Sequence, residues 1–125
     1  MARKHTSNRP ERLAKQILQL VAGILLDDIR DPRVDEVQLT DVEVTGDLRH
    51  AKVYYVLLDA RERDEDVQAA LDGAAGFVRR AIAPELRVRH VPQLTFVYDE
   101  SIEHGRRMER LLDGLHIPRE PQQED

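Results

Sequence analysis

The chain has 125 residues and a formal net charge of −5 at pH 7, a length that suits one domain with one hydrophobic core. It contains no cysteine, which excludes disulfides, thiolate catalysis and cysteine-based zinc sites. Its longest apolar run, within residues 18–26, is about half the roughly 20 residues that a membrane-spanning helix needs, and no secretory leader is recognisable. We therefore expect a soluble, cytoplasmic protein without a membrane partner.

The first predicted helix starts near Asn8. Asn8 and Glu11 have the spacing of a capping box, and Pro10 fits the first helical turn because its missing N–H has no intrahelical acceptor there. Apolar residues then recur at helical spacing, so that one stripe faces the core. Asp31-Pro32 should end the helix, because the residue before a proline disfavours helical angles. Residues 1–8 are predicted to form a mobile basic arm.

Two strands are predicted next. Residues 37–44 alternate apolar and polar side chains with one slip, which a β-bulge between Leu39 and Val42 would absorb. Turn residues at 45–47 lead into a second strand, so we predict an antiparallel hairpin. Alternate residues of the second strand share one face: Ala51, Val53, Tyr55 and Leu57. Tyr54 points to the opposite face, which predicts that at most one of the two tyrosines is buried.

The following helix has a capping residue in Asp64 or Asp66. Gly73 and Gly76 each cost about 1 kcal/mol relative to alanine inside a helix. Two glycines within four residues favour a bend, so we predict that this segment is divided into two helices. The second of them, residues 77–86, is predicted to bury its apolar side chains.

Two prolines, Pro84 and Pro92, limit the secondary structure that the next part of the chain can form. Pro84 should break or tighten the preceding helix, because it has no N–H to donate. Residues 88–98 are predicted to form a third strand, at a sheet edge or with a bulge, because Pro92 cannot donate either. A last helix is predicted up to about residue 115, followed by a disordered acidic tail at residues 116–125.

Charge is distributed unevenly along the chain. Five basic residues and one acid precede residue 16, whereas residues 27–66 carry thirteen acids and six bases. This asymmetry is typical of a protein with one cationic binding side and one side that stays in water. A solvated surface without function would explain the charges alone equally well. The negative net charge therefore does not exclude a nucleic-acid partner.

Catalytic and metal chemistry find little support in the sequence. The five histidines have no metal-ligand spacing, and no nucleophile, base and orienting group form a recognisable motif. Paired acids such as Asp27-Asp28 and Asp64-Glu65 are interpreted as solvated. We predict no enzyme activity, no catalytic residue, no metal, no cofactor and no small-molecule substrate.

The order helix, strand, strand, helix, kink, helix, strand resembles a type II KH domain. This is an α+β fold in which a three-stranded sheet packs against helices, here with a C-terminal helix added. Ordinary KH domains clamp a nucleic-acid backbone with a GxxG loop, and Ala74-Ala75-Gly76 occupies that place. In this replacement of the loop, the chain resembles the ribosome-binding factor A family of bacterial small-subunit assembly factors. Family motifs extend from Arg9 to Leu112 and include Asp31-Pro32-Arg33 and residues 86–96.

This resemblance implies a single domain over residues 9–115 and a function. It implies a monomeric factor that binds the free or precursor 30S subunit through 16S rRNA and supports late 16S rRNA processing, including under cold stress. One alternative is a protein-interaction module that docks on a ribosomal protein or another assembly factor through its acidic side. A second alternative, a small hydrolase that acts on RNA ends, lacks a convergent catalytic set.

Ten residues are candidate rRNA contacts, because the guanidinium fork suits phosphate and small residues allow close backbone approach. They form a first-helix cluster and a kink cluster: Arg9, Arg12 and Lys15; Ala74, Ala75, Gly76, Arg79, Arg80, Arg87 and Arg89. For each arginine, an ion pair with a nearby acid is the alternative, and the small residues also suit tight helix packing. Charge reversal at Arg79 and Arg80 is expected to weaken subunit binding and to leave thermal stability nearly intact.

The few aromatic residues are assigned mainly to the core. The chain has two Phe, three Tyr and no Trp, so it has few aromatic side chains to place on its surface. Phe77, Phe96 and Leu94 are therefore predicted to be core residues and not platforms for base stacking. Of Tyr54 and Tyr55, the one that is not buried is a candidate RNA contact.

Overall fold

The structure is a computed structural model that describes residues 2–58, 62–100 and 109. Within residues 2–100, the described part contains two α-helices and three strands in the order α1, β1, β2, α2, β3, with bounds Ala2–Asp27, Val37–Val44, His50–Leu57, Glu65–Ile82 and Gln93–Tyr98. Short 3-10 helices lie at Pro32–Val34 and Ala83–Glu85. The predicted α+β class and three-stranded sheet are confirmed. The predicted last helix, apart from the helical residue Glu109, and the tail at residues 116–125 lie outside the described residues.

The sheet has the strand order β1-β2-β3, with β1 antiparallel and β3 parallel to β2. The predicted bulge is confirmed, because Leu39 pairs with Tyr55 while Asp41 pairs with Tyr54, which leaves Thr40 unmatched. The extra residue restores the alternation, so that Val42 returns to the buried face. Thr40 Oγ1 donates to the buried carboxylate of Asp99 at 2.6 Å, which ties the bulge to the end of β3.

The third strand is shorter than predicted. It begins at Gln93, because Pro92 has no N–H for the ladder and can only precede the strand. Gln93 N donates to Arg49 O at 2.9 Å, and His50 pairs with Gln93 in the parallel register. The starts of β2 and β3 therefore lie side by side, and so do the loops that enter them.

The core lies between the sheet and the two helices, which pack against the strands and against each other. The sheet and both helices contribute fully buried side chains to it: Ile17, Val21, Val53, Tyr55, Leu71, Val78 and Ile82. Tyr54 and Tyr55 are both buried, so the prediction that at most one of them is buried is wrong. Tyr54 lies on the other face of the sheet, where its hydroxyl donates to Glu43 Oε1 at 2.9 Å.

A polar network crosses this core at Tyr55. The Tyr55 hydroxyl donates to Gln68 Oε1 at 2.5 Å, and Gln68 Nε2 donates to the carbonyl oxygen of Phe96 at 2.9 Å. Burial raises the pKa of Tyr55 to about 12, because the phenolate would lose its hydration. The neutral phenol therefore links β2, α2 and β3 at every physiological pH.

Helix α1 begins earlier than predicted. It runs from Ala2 through Asn8 and Pro10, so Asn8 is not its N-cap and the predicted boundary is wrong. The residues before Asn8 include Ala, Arg and Lys, which are good helix formers, and helical backbone competes there with the capping box. The predicted mobility of residues 1–8 stays a prediction.

Helix α2 is continuous where two helices were predicted. It spans Glu65–Ile82 without a break at Gly73 or Gly76, so the division at the predicted kink is wrong. The buried stripe continues on both sides of the glycines through Leu71 and Val78, and its packing offsets the low helix propensity of glycine. The predicted tightening near Pro84 is confirmed by the 3-10 helix at Ala83–Glu85.

The continuous helix also changes the place of Phe77. Val78 lies seven residues after Leu71 and four before Ile82, so it falls on the buried stripe. Phe77 is displaced from that stripe and is 44% exposed. The prediction that Phe77 is a core residue is therefore wrong, whereas Phe96 and Leu94 are buried as predicted.

Replacing Gly73 with alanine should stabilise the protein. A Cβ built at Gly73 meets no other atom within 4 Å, and alanine is about 1 kcal/mol more favourable than glycine inside a helix. We expect the free energy of unfolding in urea to rise by about 0.5–1 kcal/mol. If Gly73→Ala lowered the free energy of unfolding, the backbone would not be helical at this residue in solution. That is the conformation that the predicted kink requires.

Candidate nucleic-acid interface

Six exposed arginines line three adjoining surface depressions at one end of the sheet. The first depression lies between Arg9, Arg12 and Arg87, and the second between Arg9, Arg49 and Arg89. The third contains Arg49 and Arg79 together with two histidines, His50 and His90. Shared residues make the three depressions continuous. We call these arginines the basic strip: Arg9, Arg12, Arg49, Arg79, Arg87 and Arg89.

The segment between α2 and β3 presents two members of the basic strip. Leu86 and Pro92 are buried at its two ends, and Val88 is half-buried between them. Arg87 and Arg89 alternate with these apolar residues and are exposed. The alternation directs both guanidinium groups away from the core, although this segment is not part of the sheet.

Arg79 holds this segment against α2. Its Nε donates to the carbonyl oxygens of Val91 and Pro92, each at 3.2 Å, and its Nη2 donates to Val91 O at 2.7 Å. The Nε and Nη2 donors of the guanidinium lie in one rigid plane and match two neighbouring carbonyl groups, whereas the donors of an ammonium group rotate freely and are not held in this geometry. Arg79 is therefore a positioning residue for Arg87 and Arg89 as well as a member of the strip.

The turn between β1 and β2 positions Arg49. Thr45 Oγ1 donates to Asp47 Oδ1 at 2.7 Å, and Arg49 N donates to the same oxygen at 3.0 Å. These two hydrogen bonds lower the pKa of Asp47, because they favour the charged carboxylate. The carboxylate is thus engaged with the turn, and the side chain of Arg49 extends into the second and third depressions.

Leu48 forms the apolar centre of the strip. It has a φ of 63°, a left-handed conformation that costs a non-glycine residue about 1–2 kcal/mol. Its side chain packs against the core and lines both the first and the second depression. Packing therefore offsets the cost of this backbone conformation, and the Leu48 side chain lies among the arginines of both depressions.

The structure brings together only part of the predicted site. Arg9 and Arg12 of the first-helix cluster meet Arg87 and Arg89 of the kink cluster at the basic strip. Other predicted contacts line none of these three depressions: Lys15, Ala74, Ala75, Gly76 and Arg80. Arg80 instead folds back along α2, where its Nη1 lies 3.4 Å from the position of a Cβ on Gly76.

Arg49 was missed in the sequence because it lies within the acidic part of the chain. Its place in the strip depends on the parallel pairing of β2 with β3, which puts residue 49 beside residue 92. The turn residues before β2 were a usable signal, since loops that enter parallel neighbouring strands meet at the same sheet edge. The order of the strands was the missing information.

The arrangement suits an extended polyanion. Six guanidinium groups line the strip, and Asp47 is the one acid among the residues that line its three depressions. Arginine forks pair with phosphate oxygens, and several in a row can follow a sugar-phosphate backbone. Among the residues that the structure describes, no group of acids, histidines or cysteines is arranged to hold a metal ion. Within the same residues, no helix is long and apolar enough to cross a membrane.

Comparison with known proteins matches the chain over most of its length. The sequence is 45% identical over 114 residues to ribosome-binding factor A of Thermomicrobium roseum, which covers 91% of this chain and 88% of the relative. The fold is similar to the crystal structure of ribosome-binding factor A from Thermus thermophilus, with a TM-score of 0.64 over 71% of this chain and 93% of that one. The sequence identity to this structure is 24%, so the likeness shows the fold alone.

A second structural neighbour comes from a complex with 30S. It is a homology model of Thermus thermophilus ribosome-binding factor A fitted into a cryo-EM map of its complex with 30S. This neighbour is 25% identical, has a TM-score of 0.55, and the match covers 67% of this chain and 88% of that one. The fold of the present chain is accordingly KH-like, as predicted. Because the ribosome-binding factor A family model matches residues 9–112, the chain belongs to the ribosome-binding factor A family.

Proposed function

We propose that this protein is an assembly factor that binds the free or precursor 30S subunit through 16S rRNA. The observation that carries the proposal is the continuity of the basic strip, which joins α1, the β1–β2 turn and the segment before β3. Its arginines contact phosphate and ribose. Membership of the family supports the choice of the small subunit, because a relative has been fitted into a map of a 30S complex.

The strip recognises the shape of folded rRNA and not a base sequence. Phosphate contacts orient a protein on nucleic acid but carry no sequence information. The GxxG clamp is replaced by helical residues, and both buried tyrosines are inaccessible to bases. Binding in this way favours a particle whose rRNA has nearly reached its final shape. We extend the proposal to late 16S rRNA processing, to growth in the cold and to action in the cytoplasm as a monomer.

Sedimentation with ribosomal particles tests the proposal. The purified protein should pellet with free 30S subunits and much less with 70S ribosomes, and retention should fall steeply as salt rises because released counterions drive binding. Nuclease treatment of the subunits shows whether the protein is retained by rRNA or by a ribosomal protein. Retention after digestion of the exposed rRNA, or retention that is unchanged between low and moderate salt, would contradict the arginine-phosphate mechanism.

A further inference from the structure

A second surface lies at the other end of α1, between its C-terminal half and β1. It is an apolar groove of about 530 Å³. One wall comes from α1 and the other from the residues around β1: Leu18, Ala22 and Leu26; Val34, Val37 and Leu39. Leu26 is 83% exposed. A single exposed leucine is ordinary, but an exposed leucine that continues an apolar groove indicates an interaction site.

The groove runs beside the free edge of β1. Among the described residues, β1 pairs with β2 on one side and has no strand on the other. Leu58 N donates to Glu36 O at 2.9 Å, and Val37 is opposite Leu57. Hydrogen-bonded and non-hydrogen-bonded residue pairs alternate along an antiparallel ladder. Because Glu36 is hydrogen-bonded to Leu58, Val37 and Leu39 belong to non-hydrogen-bonded pairs. Their N–H and C=O groups therefore point away from β2. The bulge at Thr40 ends this regular edge.

A helix beside an exposed strand edge is the geometry that binds an extended peptide. The strand edge supplies main-chain hydrogen bonds, and the apolar wall of the helix receives alternate side chains of the peptide. With the bulge as its limit, the edge offers pairing over only a few residues. A short segment is therefore enough to fill it.

Charge around the groove selects the kind of segment. Asp35 lines the groove, and Asp27 and Asp28 follow Leu26 at the end of α1, where the helix dipole is also negative. Nearby cations do not cancel this charge, because Arg33 is engaged with Asp31 at 2.6 Å and Arg30 is one cation beside the three acids Asp27, Asp28 and Asp35. The rim is thus complementary to lysine and arginine.

We propose that the groove binds an extended protein segment with apolar residues at alternate positions and basic residues at its ends, as an additional strand on β1. The proposal goes beyond rRNA binding and does not depend on it. Arg12 and Ala22 are ten residues apart on α1, which corresponds to about 15 Å along the helix. Both surfaces can therefore be occupied at the same time.

The experiment titrates the full ¹⁵N-labelled chain with a synthetic peptide of about seven residues that has valine at alternate central positions and lysine at both ends, a length that covers Val37 to Leu39 and extends beyond them on either side. We expect amide shifts at Val37 and Leu39 and slower hydrogen exchange of these two amides. A matched peptide with glutamate in place of lysine should bind at least 10-fold more weakly. Equal binding of the two peptides, or shifts centred on Arg49 and Arg89, would overturn the proposal.

Three variants separate the groove from general attraction to an acidic protein. Leu26→Lys and Asp35→Lys should each weaken the lysine peptide about 5-fold or more, and both residues are exposed, so folding is retained. Glu62→Lys makes the same charge change as Asp35→Lys at an exposed residue outside the groove and should leave affinity unchanged. Unchanged affinity for Leu26→Lys would refute the site.

The other possible occupants give different results in the free protein. If a second copy fills the groove, exchange of the Val37 and Leu39 amides will slow with concentration, and light scattering will show a dimer. If another part of the same chain fills it, both amides will be protected in the dilute monomer and the peptide will not bind. Either result would overturn the proposal.

Discussion

Replacing Arg49, Arg87 and Arg89 with glutamine should weaken binding to free 30S subunits by roughly 100-fold at low salt. Each guanidinium that pairs with phosphate contributes on the order of 1 kcal/mol, and 1.4 kcal/mol corresponds to a factor of ten. The three side chains are exposed, and the turn uses only the backbone of Arg49. The melting temperature should therefore stay close to that of the unmodified protein, and fluorescence anisotropy with labelled protein would measure the affinity.

The matched control removes three positive charges outside the basic strip. Lys15, Arg30 and Lys52 are exposed, and none of them lines the three depressions. Their replacement by glutamine changes the net charge by the same amount and should weaken binding less than about 5-fold, through the general field alone. Equal losses in both triple variants would mean that the protein binds through its net charge and that the strip has no special role.

Arg79→Gln should destabilise the protein, whereas Arg80→Gln should not. Removal of the Arg79 guanidinium leaves the carbonyl groups of Val91 and Pro92 without their donors. We expect a loss of about 1–2 kcal/mol in the free energy of unfolding, measured by urea denaturation, and a change within about 0.5 kcal/mol for Arg80→Gln, as for most exposed substitutions. This prediction replaces the expectation that charge reversal at both arginines leaves thermal stability nearly intact.

The variant Arg79→Lys tests whether the guanidinium group or only the positive charge of Arg79 is needed. Arg79→Lys keeps the charge but replaces the rigid planar fork with a mobile point charge, so it should recover little of the lost stability. It should also weaken 30S binding, because the segment that presents Arg87 and Arg89 is no longer held. Full recovery of stability and binding by lysine would show that Arg79 acts only as a positive charge.

The sequence was sufficient for the parts of the fold that depend on local patterns. Alternation predicted both strands of the hairpin and the bulge beside Thr40, because a one-residue slip moves every side chain to the other face. Pro84 predicted a tightened helix end, because it lacks the backbone donor that the helix needs. Pro92 predicted an edge position for the third strand, but the strand itself was placed too early, since it begins only at Gln93. These signals operate within a few residues and need no knowledge of the partner elements.

The errors arose where tertiary packing outweighed local propensity. Gly73 and Gly76 suggested a break, but burial of Leu71 and Val78 on one stripe keeps α2 continuous. The same stripe exposes Phe77. The candidate site was incomplete for a similar reason, because Arg49 reaches the strip only through the parallel pairing of β2 with β3, which no local pattern specifies.

The dependence of 30S affinity on salt tests the central claim most directly. The logarithm of the association constant falls linearly with the logarithm of salt concentration, with a slope of about −0.7 to −0.9 for each phosphate contact. The variant without Arg49, Arg87 and Arg89 should therefore have a slope about 2–3 smaller in magnitude than the unmodified protein, and the Lys15, Arg30 and Lys52 control should keep the original slope. Parallel lines for all three proteins would contradict the assignment of the basic strip as the rRNA-binding surface.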